Sequence, residues 1–476
     1  MQCYSTNRNS PLVPFRSALM RGQAPDRGLY MPAKIPILVP QNIKNFLHLS
    51  YPELAFQLST RWIGDEIENE PLRLACHEAY TWPVPLVSIT DRLSILELWH
   101  GPTLSFKDFA AQWLGRVLHA LRPQHTPLTV LVATSGDTGS AVAAGFHNVP
   151  GIRVILLYPS GKVSALQEQQ LTTFGGNVET LEVLGNFDDC QNMVKEAFTD
   201  DEVRDRIALT SANSINIGRL IPQSFYYIWA YLQIKKQIRS SHKKIVFCVP
   251  SGNLGNLTGG MLAARMGVPM AQCIAAENAN NILPEFLNTG QFHPRPSVHT
   301  LSNAMDVGDP SNIVRIFDFY AHDKHAPATS GNVALARLRH DLWSTSVDDE
   351  TTLNTIAHVY ATYRYVMDPH TAVGWTAIER WRETAEGKSF QGPMILLSTA
   401  HPAKFLDIID VALPKHALAV PHALNAVLQK QKQAAQIRPH YATLKKILFS
   451  PPSRIKNELP NRSRAAGYSW QVRDKF

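Results

Sequence analysis

The chain has 476 residues, too many for one simple core and suited to two or three domains. Its 45% hydrophobic and 18% charged residues are those of an ordinary globular protein, and no apolar run nears the roughly 18 residues that cross a bilayer, which argues against a membrane protein. The net charge of +7 would suit nucleic acid, but much of the excess lies at the end (Lys445, Lys446, Arg454, Lys456, Arg462, Arg464, Arg473, Lys475) without any recognition-module pattern, so nucleic acid is not expected either.

The first stretch, MQCYSTNRNSPLVPF, lacks the apolar core and cleavage site of a secretory signal, although its shortage of acidic residues before Asp26 would allow a transit peptide. Residues 1–88 mix short apolar runs with prolines (Pro32, Pro36, Pro40, Pro52) and show no readable architecture. From about Leu93 short apolar strands alternate with amphipathic helices. Phe106, Phe109, Ala110, Trp113, Leu114, Val117 and Leu118 recur at helical spacing around Lys107. The run from Leu128 to Ala133 reads as a buried strand, followed by the turn Thr134, Ser135, Gly136, Asp137, Thr138, Gly139 and a helix from Ser140 to Phe146.

The alternation repeats three times. Arg153 to Tyr158 precedes the turn at 159–164 and a helix through Leu166 and Leu171. Ile245 to Val249 precedes Ser251, Gly252, Asn253, Leu254, Gly255, Asn256 and a small-residue helix; Met394 to Ser398 precedes Thr399. Such a pattern predicts an α/β fold with a largely parallel sheet covered on both faces, whose ligands sit beyond the carboxyl ends of the strands. Five scattered cysteines (Cys3, Cys76, Cys190, Cys248, Cys273) form no Cys-x-x-Cys, which points to a reducing compartment without disulfides or zinc. The histidines show no ligand spacing, and no metal is expected.

Ser251 to Asn256 has the make-up of a phosphate cradle, because glycines admit close backbone approach and a helix start offers N–H groups to an anion. It lacks the Walker lysine and the dinucleotide glycine pattern, and could equally be a structural turn. Thr134, Ser135, Gly136, Asp137 and Thr138 would suit a carboxylate, or merely cap a helix through Ser135 or Asp137. Lys107, beside Asp108, is either a solvated lysine or, if desolvated, a reactive amine. Thr399 either presents a hydroxyl to the cleft or caps a helix starting at Ala400.

Taken together and in order, these segments resemble the pyridoxal-phosphate-dependent threonine synthases of the bacterial and fungal type. The likeness runs from Tyr4-Ser-Thr-Asn-Arg8 and Ala24-Pro-Asp-Arg-Gly-Leu-Tyr-Met-Pro32 through Leu98-Trp-His-Gly-Pro-Thr-Leu-Ser-Phe-Lys-Asp108 to the turn after Ala133. It continues through Ser211-Ala-Asn-Ser-Ile-Asn-Ile-Gly-Arg219, the 251–256 turn, Asp368-Pro-His-Thr-Ala-Val-Gly374 and Ser398-Thr-Ala-His-Pro-Ala-Lys-Phe405. Because it begins at Tyr4, the N-terminal segment reads as part of the enzyme rather than a transit peptide.

The resemblance implies the tryptophan-synthase-β-like fold (pyridoxal-phosphate fold type II), with two α/β domains around a cofactor cleft and an additional N-terminal domain. The implied division is 1–88, 89–445 and a basic tail at 446–476. It implies pyridoxal 5′-phosphate as cofactor, Lys107 as its Schiff-base lysine, Ser251, Gly252, Asn253, Leu254, Gly255 and Asn256 around its phosphate, and Thr399 facing its ring nitrogen. Thr134, Ser135, Gly136, Asp137 and Thr138 would hold the substrate carboxylate. Asp137 departs from the wider fold family, where Asn often bonds the cofactor's phenolic oxygen; an Asp there would repel a phenolate. The implied reaction turns O-phospho-L-homoserine and water into L-threonine and phosphate. Arg219, and Lys162 with Ser164, are candidates for the substrate phosphate; Asn216 either touches ligand or orders its loop. The alternatives are a phospholyase releasing 2-oxobutyrate and a non-catalytic cofactor- or metabolite-binding protein. A cytoplasmic monomer or weak homodimer is implied.

Overall fold

The computed structural model describes residues 1–476 except 124–125, 135, 238–243, 322–330, 415–417 and 452–476. Most of the predicted basic tail therefore lies outside the described residues. The N-terminal region opens with β1 (Gln2–Ser5), β2 (Val13–Pro14) and β3 (Tyr30–Pro32), an antiparallel sheet in the order β2-β1-β3. Helices Pro40–Phe46, Tyr51–Ile63 and Asn69–Ala79 follow. The prolines that break up the sequence pattern here begin helices: Pro40 and Pro52 occupy first-turn positions, where the missing N–H costs nothing.

Two larger sheets follow. One joins β4 (Leu86–Ser88), β5 (Leu93–Glu97), β10 (Ile245–Pro250), β11 (Met270–Glu277), β12 (Leu342–Ser346) and β13 (Met394–Ser398). Their order is β12-β11-β10-β13-β5-β4, parallel but for β4. The other, fully parallel, joins β6 (Leu128–Ala133), β7 (Ile152–Pro159), β8 (Val178–Val183), β9 (Ala208–Thr210) and β14 (Ala435–Ile437) in the order β14-β8-β7-β6-β9. Every residue of β5, β6, β10 and β13 is buried, as expected of strands covered on both faces, and this produces the continuous apolar runs in the sequence. A contiguous core runs from Cys3 and Phe15 of the N-terminal region through Trp113 and Leu156 to Phe247 and Leu397, so all three sheets share it.

Helix Lys107–Leu121 buries Phe109, Ala110, Trp113, Leu114, Val117 and Leu118 of the predicted stripe and Leu121 besides, while Phe106, just before it, is half-buried. It crosses helix Asp137–Phe146, which starts three residues earlier than the sequence suggests, with almost no space between backbones. A Cβ on Gly115 would sit 2.4 Å from the carbonyl oxygen of Gly145, and one on Gly145 would sit 2.6 Å from the carbonyl of Ala111. This crossing brings the two helix starts, Lys107 and Asp137, into reach of each other. Among the described residues no helix is long and apolar enough to cross a membrane.

Candidate active site

Lys107 is the first residue of its helix, and the loop before it is fastened in place. Phe106 N donates to Thr399 O (2.9 Å) and His401 N to Leu104 O (3.1 Å), which ties the loop to the turn after β13. Asp108, fully buried, accepts from Thr103 N (2.8 Å) and Thr103 Oγ1 (2.6 Å). Burial raises its pKa to about 6 against those two bonds. Leu104 holds a left-handed φ of 58° in this loop, and Leu254 one of 59° in the 251–256 turn. Backbone of this kind in side-chain-bearing residues persists where its surroundings over-determine it.

The Lys107 side chain is 16% exposed, and its Nζ lies 3.7 Å from Asp137 Oδ2. Burial lowers the Lys107 pKa; Asp137 opposes that, while Lys404 and Arg219 add to it. The desolvation that a reactive amine requires is therefore present. Burial would raise the pKa of Asp137, but Lys404 and Lys107 outweigh it and hold the carboxyl below the usual carboxylate range. Lys404 Nζ donates to Asp137 Oδ1 (2.7 Å) and Thr103 O (3.1 Å), and Gln167 Nε2 to the same Oδ1 (3.3 Å). Neither Lys404 nor Gln167 stands out in the sequence analysis. Lys404 lies within the matching segment 398–405 but has no local feature that separates it from a surface lysine.

Ser135, one of the two expected caps of the 134–138 turn, lies outside the described residues. Thr134 Oγ1, rather than Asp137, accepts from Gly136 N (3.1 Å) and Gly139 N (2.8 Å), because Gly136 at φ 145° swings the chain back over it. A Cβ on Gly136 would fall 2.7 Å from Gln167 Cδ, so the position requires a glycine on both counts. Thr138 is partly exposed, and its hydroxyl has no partner among the described residues.

Between β10 and helix Gly255–Arg265, the 251–256 turn spends its side chains on shape. Ser251 Oγ donates to Val249 O (2.8 Å) and Asn253 Nδ2 to Ser214 Oγ (2.7 Å), while Asn253 Oδ1 accepts from Ser311 N (2.6 Å). Asn256 Oδ1 accepts from Tyr226 (2.6 Å) and Tyr227 (2.9 Å), whereas its Nδ2 is buried without a partner. The backbone N–H groups of Gly252, Asn253, Leu254, Gly255 and Asn256 donate to nothing among the described residues. A Cβ on Gly252 would stand 2.6 Å from Met305 Cα. A run of free amides at the start of a helix is what a phosphate monoester requires. This cradle, the desolvated amine of Lys107 and the unpartnered Asn256 Nδ2 together fit pyridoxal phosphate.

Thr399 is buried at the carboxyl end of β13 and does not cap a helix. The turn Pro402–Phe405 is capped by His401, whose Nδ1 accepts from Ala403 N (3.0 Å). Burial, with His100, lowers the pKa of His401 to about 4, which keeps that lone pair available. Asn216 is spent on its loop: Nδ2 donates to Ser211 O (2.8 Å) and Leu19 O (3.0 Å), and Oδ1 accepts from Gly218 N (2.8 Å). Of the two readings of Asn216, the one that orders the loop accounts for all these bonds. Arg219 is buried with Nη1 on Ala212 O (2.7 Å) and Nε unpartnered. Burial lowers its pKa to about 10. Ser164 is the exposed N-cap of helix Ala165–Thr172, and Lys162 is exposed on the same turn. Helix Ala165–Thr172 meets Asp137 through Gln167, which brings the two turns together.

Arg315, fully buried, donates to Ser214 O (2.8 Å), Ile215 O (2.7 Å) and Asn312 Oδ1, and Asn312 in turn donates to Asn253 O (3.0 Å). Burial brings its pKa down to about 9. Lys107, Lys404, Arg219 and Arg315 thus outnumber the carboxylates among them, and the surplus positive charge suits anionic ligands.

Comparison with known proteins agrees with this chemistry. The family described as pyridoxal-phosphate dependent enzyme matches residues 89–392, threonine synthase N terminus matches 2–80, and threonine synthase, C-terminal matches 371–448. A threonine synthase of Serratia marcescens is 36% identical over 95% of this chain and all of its own length. The crystal structure of threonine synthase from Escherichia coli superposes with a TM-score of 0.82 at 36% identity, over 94% of this chain and 99% of that one. The pyridoxal-phosphate-bound threonine synthase of Brucella melitensis gives 0.85 at 33% identity, over 94% and 98%.

Proposed function

The chain belongs to the threonine synthases, pyridoxal-phosphate-dependent lyases, and on that premise we propose that it converts O-phospho-L-homoserine and water to L-threonine and phosphate, with Lys107 as the reacting amine. The observation that carries this reading is a desolvated lysine together with a turn whose successive N–H groups have no partner among the described residues. When bound, pyridoxal phosphate supplies an aldehyde that condenses with amines and a ring that draws electron density from neighbouring C–H bonds.

The residues take the following parts. The N–H groups of 252–256 hold the cofactor phosphate, with Arg315 behind them. The Lys107 amine would anchor the cofactor and, as a free amine, would take the proton from Cα and move protons at Cβ and Cγ as phosphate leaves and water adds. Thr399 would offer its hydroxyl to the ring nitrogen. Being neutral, it does not force that nitrogen to stay protonated, which puts more of the proton traffic on Lys107. The turn 134–138 receives the substrate carboxylate through the N–H groups of Asp137 and Thr138, which, unlike those of Gly136 and Gly139, have no partner among the described residues. Arg219, a buried guanidinium with Nε unpaired, suits the substrate phosphate, and Lys162 and Ser164 guard the rim.

We divide the chain at 1–88, 89–445 and 446–476. The five buried free thiols support a reducing compartment, the cytoplasm. Purified protein given O-phosphohomoserine should release threonine and phosphate in equal amounts. Predominant 2-oxobutyrate would replace this reading with that of a phospholyase.

A further inference from the structure

Asp137 is a carboxylate in a place that, on the reading above, must receive anions. Left alone it would repel them, and it would also grip the ammonium form of Lys107. Its two oxygens have different partners. Oδ1 receives Lys404 Nζ at 2.7 Å, a charge-assisted hydrogen bond by length, and Gln167 Nε2 at 3.3 Å. Oδ2 stands 3.7 Å from Lys107 Nζ, too far for a hydrogen bond. The Lys404 side chain is 1% exposed and that of Asp137 3%, so neither charge can turn to solvent. Lys404 is further fixed by Thr103 O at 3.1 Å, an oxygen that also accepts from Gln170 Nε2 (3.2 Å).

We propose that Lys404 is a positioning residue: it holds Asp137 as a carboxylate through Oδ1 and so keeps that charge from locking Lys107 in its protonated form. The proposal rests on the reading of Lys107 as the reacting amine. Other charged groups face the cluster from each packed element. Arg219 acts on Lys107, Asp108 on Arg219, and His370, itself 2.7 Å from Asp368, acts on Asp137. Lys404 acts on Asp108 and His401, and Tyr226 lies by Arg219. Of the groups that act most strongly on Lys107, Asp137 favours its charged form, while burial, Lys404 and Arg219 disfavour it. The carboxylate that most opposes proton loss from Lys107 is therefore the one Lys404 occupies.

The test is the pH dependence of Lys107 acylation by a small anhydride in the full-length chain freed of cofactor, read by mass spectrometry. Lys404→Met should raise the Lys107 midpoint by about one pH unit or more, because Asp137 then loses the cation bound to its Oδ1 and a cation near Lys107 is gone. Lys404→Arg should leave the midpoint in place. Asp137→Asn should lower it, and should cancel the rise when combined with Lys404→Met. A lowered melting temperature with an unmoved midpoint in Lys404→Met would mean that Lys404 only holds the fold, which overturns the proposal. Should Lys404→Met fail to fold, an unchanged midpoint in Asp137→Asn overturns it equally. Borohydride reduction of the holoenzyme separates this from the underlying reading. Cofactor fixed on Lys404 would remove both; cofactor fixed on Lys107, with no midpoint shift in the variants, removes this inference alone.

Discussion

The turn that ends β10 and the turn that ends β6 share a plan, strand into helix through glycine, yet their electrostatics are opposite. At 251–256 no side chain ionises; serine and asparagine side chains brace the loop and leave the amides bare. The cation behind it, Arg315, reaches the loop indirectly, through Asn312 and Ser214. At 134–138 an ionised Asp137 stands between two lysines. A phosphate that only has to be held can be met by neutral dipoles, which work in any protonation state. A site where protons move needs fixed charges, because they set the pKa of the group that gives and takes them.

The largest expected effect falls on the charged side of this contrast. Lys107→Ala should cut turnover by about 10³-fold or more, measured with saturating cofactor, as loss of both anchor and base. Gly145→Ala should force the two helices apart, since its Cβ would meet the Ala111 carbonyl at 2.6 Å. A stability loss of about 1–3 kcal/mol in denaturant titrations is expected, with a rise in the KM for substrate as Lys107 and Asp137 separate. Gly252→Ala addresses the neutral turn. Its Cβ would press on Met305 backbone at 2.6 Å, and cofactor affinity should fall about 10-fold to 100-fold, at about 1.4 kcal/mol per decade. Pyridoxal without its phosphate should lose little in the same variant; equal losses would show that the turn does not read the phosphate.

Acid melts sharpen the comparison further. Asp137 is held below its unfolded pKa, so its contribution is present above about 4 and lost as pH falls toward its folded value. Asp108 runs the other way: raised from 3.8 to about 6, it favours the fold below 3.8 and loses that contribution as pH rises to about 6. Asp137→Asn should therefore flatten stability below about pH 4, and Asp108→Asn should flatten it between about pH 4 and 6, in thermal melts across pH. The smallest effect is expected from Lys162→Ala. That exposed residue should change the KM for substrate about two-fold to five-fold through about 0.5–1 kcal/mol and leave cofactor binding untouched.

Much of the catalytic frame is legible in the chain because fully buried parallel strands write themselves as unbroken apolar runs. Leu128 to Ala133 and Met394 to Ser398 match their strands end to end. The N-terminal region is not legible for the converse reason. Its strands are as short as the two residues of β2, below any period, and its prolines look like breaks although two of them start helices. The 251–256 turn can be recognised because its function is carried by backbone, which glycines announce. Asn216 reads ambiguously, since an asparagine that caps a loop and one that meets a ligand are the same letter.

The sequence by itself settles the family, the cofactor and the strand-turn-helix units, all of which depend on residues near one another in the chain or on a pattern spread along its length. What the tertiary structure alone decided is the charge arrangement around Lys107. Asp137 starts the helix that follows β6 of one sheet, Lys404 follows β13 of the other, and a glycine-to-glycine helix crossing sets Lys107 between them. A lone lysine carries no local mark of burial, because its desolvation and its partner are supplied by other segments, Asp137 from the next helix and Lys404 from the far end of the chain.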